Sequence, residues 1–422
     1  MSTNHDAAGS GALAPRSPVC DGDAGRRSGL GRLLDRRRAW VAERRYLEEC
    51  SRYAAAVRWE FRDPCEALRV CQWIDTPTGL FVRTPYVRHV TVGPPVSFTV
   101  ELMPGQRCAG IAEQGPRLAE SLGGAGLRVE PLAGRYARVT LLDQDPLAET
   151  FALPSVSLGS AEDFLLLGRD EAATTLGHAP GGEAVHIAVQ GMTRSGKSSA
   201  CYGWLSSLAA ALDVLVAGVD HTDLLLGRPW DGTVHRDWQS TGSGPEEIAA
   251  HVDHLEYLVG TMRARRESMD RYSDKVTTGP GCPVVVCVLE EYPQLLDLAD
   301  AQSSKANPLG QRVRMAVKAM VAEGGKYGLR VLMLAQRFEA TAVGGGYVRD
   351  QFGLRISFSV PTDSLVMLHG DDARENAGTH AVADRGIALV SGPGRPLTRV
   401  RVPYLGGYRE YVQRIETTGR AA

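Results

Sequence analysis

The chain has 422 residues, with 47 lysines and arginines against 49 acidic residues and a formal net charge of −2. This length suffices for two or three domains with a sizeable core. The near-neutral balance excludes a general attraction to nucleic acid, so any contact with a polyanion must come from a local patch. No apolar stretch reaches the roughly 18 residues that a membrane span needs, which predicts that the chain has no span of its own.

The eight cysteines are scattered, and none of them forms a C-x-x-C pair. This pattern argues against a zinc site and against a disulfide framework. A reducing, cytoplasmic setting is therefore expected, with recruitment to a membrane as a further possibility.

The first segments in chain order are polar and then basic. Residues 1–28 are rich in Gly, Ala, Ser, Pro and Asp, which predicts a disordered tail. Residues 29–85 are expected to form a basic helical segment and a linker. Eight arginines face only two acidic residues between Arg26 and Arg45. Such a helix either contacts DNA phosphates or an anionic membrane surface, or it is simply solvated, and the sequence favours neither interpretation.

Residues 86–175 are predicted to form a small α/β subdomain. Its expected strands are 96–102, 127–130 and 137–142, and its helix is 111–122. A linker of acidic and small residues is expected to lead through Gly168 to Gly182.

Residues 176–405 alternate strands with helices, which predicts an α/β fold with a doubly wound, mostly parallel sheet. Residues 406–422 are expected to be a tail. The predicted strands are 184–190, 213–219, 283–289, 329–334, 354–359 and 386–390. The predicted helices are 198–211, 245–272, 307–324 and 362–369.

A complete phosphate-binding loop lies between the first of these strands and the first of these helices. It reads Gly191, Met192, Thr193, Arg194, Ser195, Gly196, Lys197, Ser198, with Ser199 behind it. A helix start and successive backbone N–H groups bind phosphate at one point, assisted by the helix dipole. Lys197 is predicted to reach the β- and γ-phosphates and the Ser198 hydroxyl to bind Mg²⁺. The expected cofactors are a nucleoside triphosphate and Mg²⁺.

Polar residues end three other predicted strands. Glu290 and Glu291 follow a valine-rich strand, so Glu290 is predicted to hold Mg²⁺ and Glu291 to polarise the attacking water. Gln336 is predicted to sense the γ-phosphate or to position water, and Arg337 to report the nucleotide state to a neighbour. Asp220 is expected to brace the Mg²⁺ site.

The order of these motifs resembles the FtsK/SpoIIIE DNA translocases, and especially the FtsK-like transfer proteins of actinobacterial conjugative plasmids. The phosphate loop is similar to the family's G-T-T-G-S-G-K-S, and Ala335–Arg337 is similar to its A-T-Q-R. Three further segments share its patterns, namely Met262–Tyr272, Leu354–Val360 followed by Asp363-Ser364, and Glu101–Gly105 in the small subdomain.

The resemblance implies a RecA-like P-loop ATPase motor that translocates double-stranded DNA, binds ATP between subunits and works as a homo-hexameric ring, with a possible membrane-embedded partner. Plasmid or mobile-element transfer is the expected setting. The resemblance also makes Arg355 the first candidate for a residue acting across the subunit boundary, with Arg337 second. Expected contacts to DNA phosphates come from Arg312, Arg314, Lys318 and the glycine loop near Gly344.

Two other functions remain open at this stage. A motor of this class could drive protein secretion instead of DNA transfer. Alternatively, the chain could be a nucleotide-binding regulatory module with impaired hydrolysis, because Glu290 stands where the family has Asp and Leu365 stands where it has Arg.

Overall fold

The computed structural model of the protein describes residues 29–93, 95–183, 185–374, 380–381 and 383–422, with only the backbone described for 29–39. The tail predicted at 1–28 lies outside these residues. The chain divides into two compact units. The first contains the described residues up to Ala148 together with Glu171–Ala173, and the second contains Glu149–Asp170 and everything from Thr174 onward.

The first unit contains a four-stranded antiparallel sheet, a separate two-stranded hairpin and four helices. The sheet order is β3-β4-β6-β5, and the hairpin joins β1 to β2. The elements are α1 (Gly29–Glu60), α2 (Arg62–Ala67), β1 (Gln72–Thr76), β2 (Gly79–Arg83), β3 (Tyr86–Thr91), β4 (Ser97–Glu101), α3 (Cys108–Ala112), α4 (Gly115–Ser121), β5 (Gly126–Pro131) and β6 (Tyr136–Leu142).

The core of this unit joins parts that the sequence analysis had separated. Phe98 and Val100 alternate inward along β4, as a half-buried strand requires. They share one apolar cluster with Val57 at the end of α1 and with Phe61 just after it. The basic helical segment therefore ends inside the core of the small unit. The helix predicted at 111–122 is split, because Pro116 favours the first turn of a new helix.

The second unit is built on a ten-stranded sheet in the order β11-β10-β12-β13-β9-β14-β15-β16-β7-β8. Its strands are β7 (Leu165–Asp170), β8 (Thr175–His178), β9 (Ile187–Gln190), β10 (Val214–Asp220), β11 (Gln239–Thr241), β12 (Val284–Leu289), β13 (Leu329–Ala335), β14 (Leu354–Ser357), β15 (Ile387–Gly392) and β16 (Arg395–Arg401). Its helices are α5 (Lys197–Leu208), α6 (Pro245–Glu267), α7 (Tyr292–Ala301), α8 (Leu309–Glu323), α9 (Gly346–Asp350), α10 (Thr362–His369) and α11 (Tyr408–Thr418).

The strands from β11 to β14 run parallel, and those from β14 to β8 pair antiparallel. The central strands β10, β12 and β13 are buried along their whole length, as expected of a parallel sheet covered on both faces. One apolar cluster contains residues of α6, α7 and α8, and a second contains residues of α5 and α11. This arrangement is the RecA-like, doubly wound P-loop fold predicted from the sequence.

Two segments differ from the prediction. The expected linker near Gly168 contains the β7–β8 hairpin, which extends the large sheet through β16. The expected tail at 406–422 contains α11, whose Tyr411 and Ile415 are fully buried. The Tyr411 hydroxyl donates a hydrogen bond to the Leu225 carbonyl at 2.7 Å. Among the described residues no helix combines the length and apolar character needed to cross a membrane.

Candidate nucleotide-binding site

The phosphate loop runs from the end of β9 to the start of α5, as the sequence predicted. Gly196 has φ of +112°, a conformation that only glycine adopts readily, and Lys197 begins the helix directly after it. A Cβ at Gly191 would lie 2.6 Å from the Ser195 Oγ and 2.9 Å from the Phe358 Cβ. Both glycines are therefore required for the path of the loop.

The strand order explains why this loop meets the other predicted residues. The chain leaves β9 and crosses to β10, while β13 and β12 lie between them in the sheet. In a parallel sheet of this kind, ligands bind where the strand order reverses, at the carboxyl ends of the strands. Glu290 and Glu291 follow β12, and Gln336 follows β13, so all three leave the sheet at this edge.

Glu291 and Lys197 are in direct contact. Glu291 caps the N-terminus of α7 with φ of +41°, an uncommon conformation for a residue with a side chain. The Lys197 ammonium donates a hydrogen bond to the Glu291 Oε1, and both side chains are largely buried. The structure thus brings together the loop lysine and the second acid of the pair, 94 residues apart in the chain.

Glu290 lies deeper and carries a strongly shifted pKa. Burial, followed by the charges of Asp220 and Glu291, raises its pKa to about 8, while Lys197 acts in the opposite direction. Its Oε2 is buried and has no hydrogen-bond partner among the described residues. An unpartnered buried carboxylate oxygen is a suitable ligand for a hard cation such as Mg²⁺. Ser198, in the first turn of α5, is exposed and offers a second oxygen.

The Asp220 carboxylate accepts hydrogen bonds from the loop that follows it. Its Oδ1 accepts hydrogen bonds from the Thr222 backbone and hydroxyl, and its Oδ2 accepts three from the backbone N–H groups of Leu224, Leu225 and Leu226. These five bonds use the acceptor capacity of the carboxylate. Asp220 therefore folds the segment after β10 and contributes charge, not a ligand atom, to the site.

Gln190 was missed by the sequence analysis and holds the base of the phosphate loop. It is fully buried at the end of β9. Its amide nitrogen donates to the Ser357 Oγ at 2.7 Å and to the Ser364 carbonyl at 3.0 Å, and its oxygen accepts the Phe338 N–H at 3.0 Å. One side chain therefore ties the loop strand to β14, to α10 and to the segment that carries Gln336.

A polar chain continues from Gln190 across the sheet. The Ser357 hydroxyl bonds to the His369 Nε2 at 2.7 Å, and the His369 Nδ1 bonds to the Ser391 hydroxyl at 2.7 Å. Burial lowers the pKa of His369 to about 3, so the ring is neutral at physiological pH. In the neutral ring one nitrogen donates to its serine partner and the other accepts.

The remaining predicted site residues have contrasting positions. Gln336 and Arg337 are exposed just beyond β13, and Arg337 lies 3.7 Å from the Glu339 carboxylate. Arg355 instead donates to the Phe352 carbonyl at 2.9 Å and to the Leu368 carbonyl at 2.8 Å. Those two bonds hold the Arg355 guanidinium against its own chain, whereas the Arg337 side chain is exposed.

Two of the three α8 residues predicted to contact DNA form ion pairs within the chain. Arg312 pairs with Asp253 and Glu256 of α6 at 2.7 and 2.6 Å. Arg314 pairs with Asp300, at 2.8 Å from its Oδ1. Each of these two arginines therefore has a carboxylate beside it that offsets part of its positive charge. Lys318 is exposed, and its ammonium lies over the ring of Tyr347, 5.6 Å from the ring centroid. Tyr347 directly follows the glycine loop at 344–346.

Comparison with solved structures supports the fold. No family model matches the sequence, and no curated protein matches it either. The pCW3 conjugation coupling protein TcpA, solved with ATPγS, has a TM-score of 0.52 and 15% identity, and the match covers 85% of this chain and 98% of that chain. The cytoplasmic domain of the type VII secretion ATPase EccC from Thermomonospora curvata has a TM-score of 0.48 and 18% identity, covering 66% of this chain and 34% of that chain.

A genome packaging NTPase, B204 from Sulfolobus turreted icosahedral virus 2, has a TM-score of 0.31 and 13% identity, covering 52% of this chain and 98% of that chain. At these identities the TcpA match establishes shared architecture. The second unit thus has the fold of P-loop ATPases. This agreement confirms, at the level of the fold, the resemblance to FtsK-like motors drawn from the sequence motifs.

Proposed function

We propose that the protein is an Mg²⁺-dependent ATPase that translocates double-stranded DNA during plasmid or mobile-element transfer. The observation that carries the ATPase part is the contact between Lys197 and Glu291. It joins the ammonium expected to bind phosphate to the carboxylate expected to act as base, and this contact supports the proposal. Phosphoryl transfer needs positioning and charge stabilisation more than covalent chemistry, and this edge provides both.

Each residue of the site then has a separate task. Backbone N–H groups between Gly191 and Ser198 hold the phosphates at the start of α5. Ser198 and Glu290 would hold Mg²⁺, which would supply positive charge to the phosphate oxygens. The phosphate oxygens compete with Glu291 for the Lys197 ammonium. Once released, the Glu291 carboxylate accepts a proton from the attacking water.

The DNA part of the proposal has weaker but specific support. The neighbour with the highest structural similarity reported above is a conjugation coupling protein, and the sequence motifs resemble those of DNA translocases. A net charge of −2 requires the DNA contact to be local. Lys318 and the glycine loop at 344–346 are the candidate contact, to phosphates and without base readout. A homo-hexameric ring, with Arg337 reaching the site of its neighbour, and recruitment to a membrane-embedded partner complete the proposal.

The test is the rate of ATP hydrolysis with and without long duplex DNA, compared between the unaltered chain and Lys197→Ala. We expect hydrolysis that increases with duplex DNA and decreases as salt is raised, since phosphate contacts release counterions. Lys197→Ala should abolish both rates. Hydrolysis that duplex DNA leaves unchanged would contradict DNA as the cargo, and a secreted protein would then be the cargo to test.

The hydrolysis-impaired module remains the second candidate, and Glu290 favours it. A carboxyl group with a pKa of about 8 is mostly protonated at pH 7 and binds Mg²⁺ weakly until it ionises. Turnover that depends on Lys197 and Mg²⁺ would reject this alternative. Nucleotide binding without any turnover would support it.

A further inference from the structure

His221 lies beside Glu290 in an arrangement that the ATPase proposal does not use. His221 follows β10 and Glu290 follows β12, the neighbouring strand in the sheet. The His221 side chain is only 7% exposed. Both the His221 Nδ1 and the Glu290 Oε2 are buried without a hydrogen-bond partner among the described residues. Two such atoms facing each other are both available to a ligand that fits between them.

The separation of these atoms fits two ligands of one metal ion better than a hydrogen bond. The Nδ1 and the Oε2 are 3.6 Å apart. A hydrogen bond would bring them to about 2.7–3.2 Å. Two ligands at about 2.0–2.2 Å from a tetrahedral ion lie about 3.3–3.6 Å apart. Adjacent ligands of octahedral Mg²⁺, at about 2.1 Å from the ion, lie only about 3.0 Å apart.

The surrounding charges also favour a cation. Asp220, Glu290 and Glu291 converge on this edge, and the Lys197 ammonium lies among them. The carboxylate of Asp220 is saturated by its own loop, so it contributes negative potential while leaving the ligand positions to His221 and Glu290. Ionising Glu290 in this buried position is costly unless positive charge compensates it.

We propose that His221 and Glu290 together bind a divalent first-row transition-metal ion, with water in the remaining positions. An imidazole nitrogen suits such ions, whereas Mg²⁺ prefers oxygen ligands throughout. This inference rests on the proposed function, because Glu290 is the residue expected to hold the metal of the nucleotide site.

The test is a titration of the full chain with Co²⁺ in the absence of nucleotide, followed by visible absorption. Tetrahedral Co²⁺ absorbs far more strongly than octahedral Co²⁺, so the spectrum reports the geometry directly. We expect an intense band and a dissociation constant that increases at least about tenfold in His221→Phe. His89→Phe is the matched control, since His89 is an exposed imidazole of the other unit, and it should leave the titration unchanged.

Equal Co²⁺ affinity in the unaltered chain and in His221→Phe would overturn the inference, as would a spectrum of octahedral Co²⁺. If His221→Phe does not fold, Glu290→Gln is the second variant and must lose the same band. Because nucleotide is absent, the result is separate from the ATPase proposal. Hydrolysis with Mg²⁺ but no His221-dependent Co²⁺ site would reject this inference alone, and the reverse outcome would reject the ATPase alone.

Discussion

Lys197 donates a hydrogen bond to Glu291, joining the first residue of α5 to the residue that caps α7. The contact is largely buried, so its charges interact more strongly than they would in water. A phosphate bound in the loop would compete with this carboxylate for the ammonium. Under the proposed function, nucleotide binding would therefore weaken the contact that holds Glu291.

Glu291→Gln should separate binding from hydrolysis. The amide keeps the size of the side chain but cannot take a proton from water, so we expect turnover to fall by about a hundredfold or more. Affinity for ATPγS should persist, because Lys197 no longer pairs with an anion. Single-turnover hydrolysis and equilibrium binding measure the two effects. Glu339→Gln, an acid near Arg337, is the control, and normal turnover in Glu291→Gln would reject the assigned role.

Gln190→Met and Gln336→Met form a matched pair. The first replaces a buried side chain and leaves the Phe338 N–H and the Ser357 hydroxyl short of a partner, which should destabilise the protein by about 2–4 kcal/mol. The second replaces an exposed side chain and should change stability by less than about 0.5 kcal/mol while lowering hydrolysis. Chemical denaturation and ATPase assays compare them. Equal stability of the two variants would contradict the bracing role of Gln190.

Glu290→Gln should change how stability depends on pH. The folded protein holds the Glu290 proton up to a pKa of about 8, whereas the ordinary value is 4.5. Between these values the folded state binds more protons than the unfolded state, so this group lowers the free energy of unfolding as pH rises. Glu290→Gln removes this pH-dependent decrease. The free energy of unfolding of the variant, relative to that of the unaltered chain, should therefore increase from about pH 5 to about pH 8. If the difference in free energy of unfolding between Glu290→Gln and the unaltered chain is the same at pH 5 and at pH 8, the raised pKa of Glu290 is wrong.

Lys318→Ala should weaken DNA binding, and Arg312→Ala should not. Lys318 is exposed, while Arg312 is paired with Asp253 and Glu256. Loss of one phosphate contact should reduce the slope of log affinity against log salt by about one per chain. Fluorescence anisotropy with a labelled duplex at several salt concentrations measures this slope. If the slope of log affinity against log salt decreases as much in Arg312→Ala as in Lys318→Ala, the assigned DNA contact is wrong.

The buried parallel strands were predictable because continuous apolar runs have few other uses. The predictions 213–219, 283–289 and 329–334 agree within a residue or so with β10, β12 and β13. The phosphate loop and the acid pair were also predictable, since each has a fixed spacing and follows such a strand. Helix α11 was not, because only two of its eleven residues are buried and most of the others are polar.

Hydrogen bonds and ion pairs between distant side chains could not be predicted from the sequence, for a different reason. Gln190 bonds to residues 148 to 174 positions away, and no local pattern encodes such a partner. Likewise, the sequence does not show that Arg312 forms an ion pair with Glu256 or that Arg355 donates hydrogen bonds to two backbone carbonyls. The approach of His221 to Glu290 depends on β10 and β12 being neighbours, which the sheet order alone reveals.

The most direct test of the account is the binding of ATPγS with Mg²⁺ to the purified chain, measured by calorimetry beside Lys197→Ala. The account predicts saturable binding by the unaltered chain and a loss of at least about tenfold in affinity when the Lys197 ammonium is removed. Binding of equal strength by both proteins, or no binding by either, would contradict a nucleotide site built on this loop.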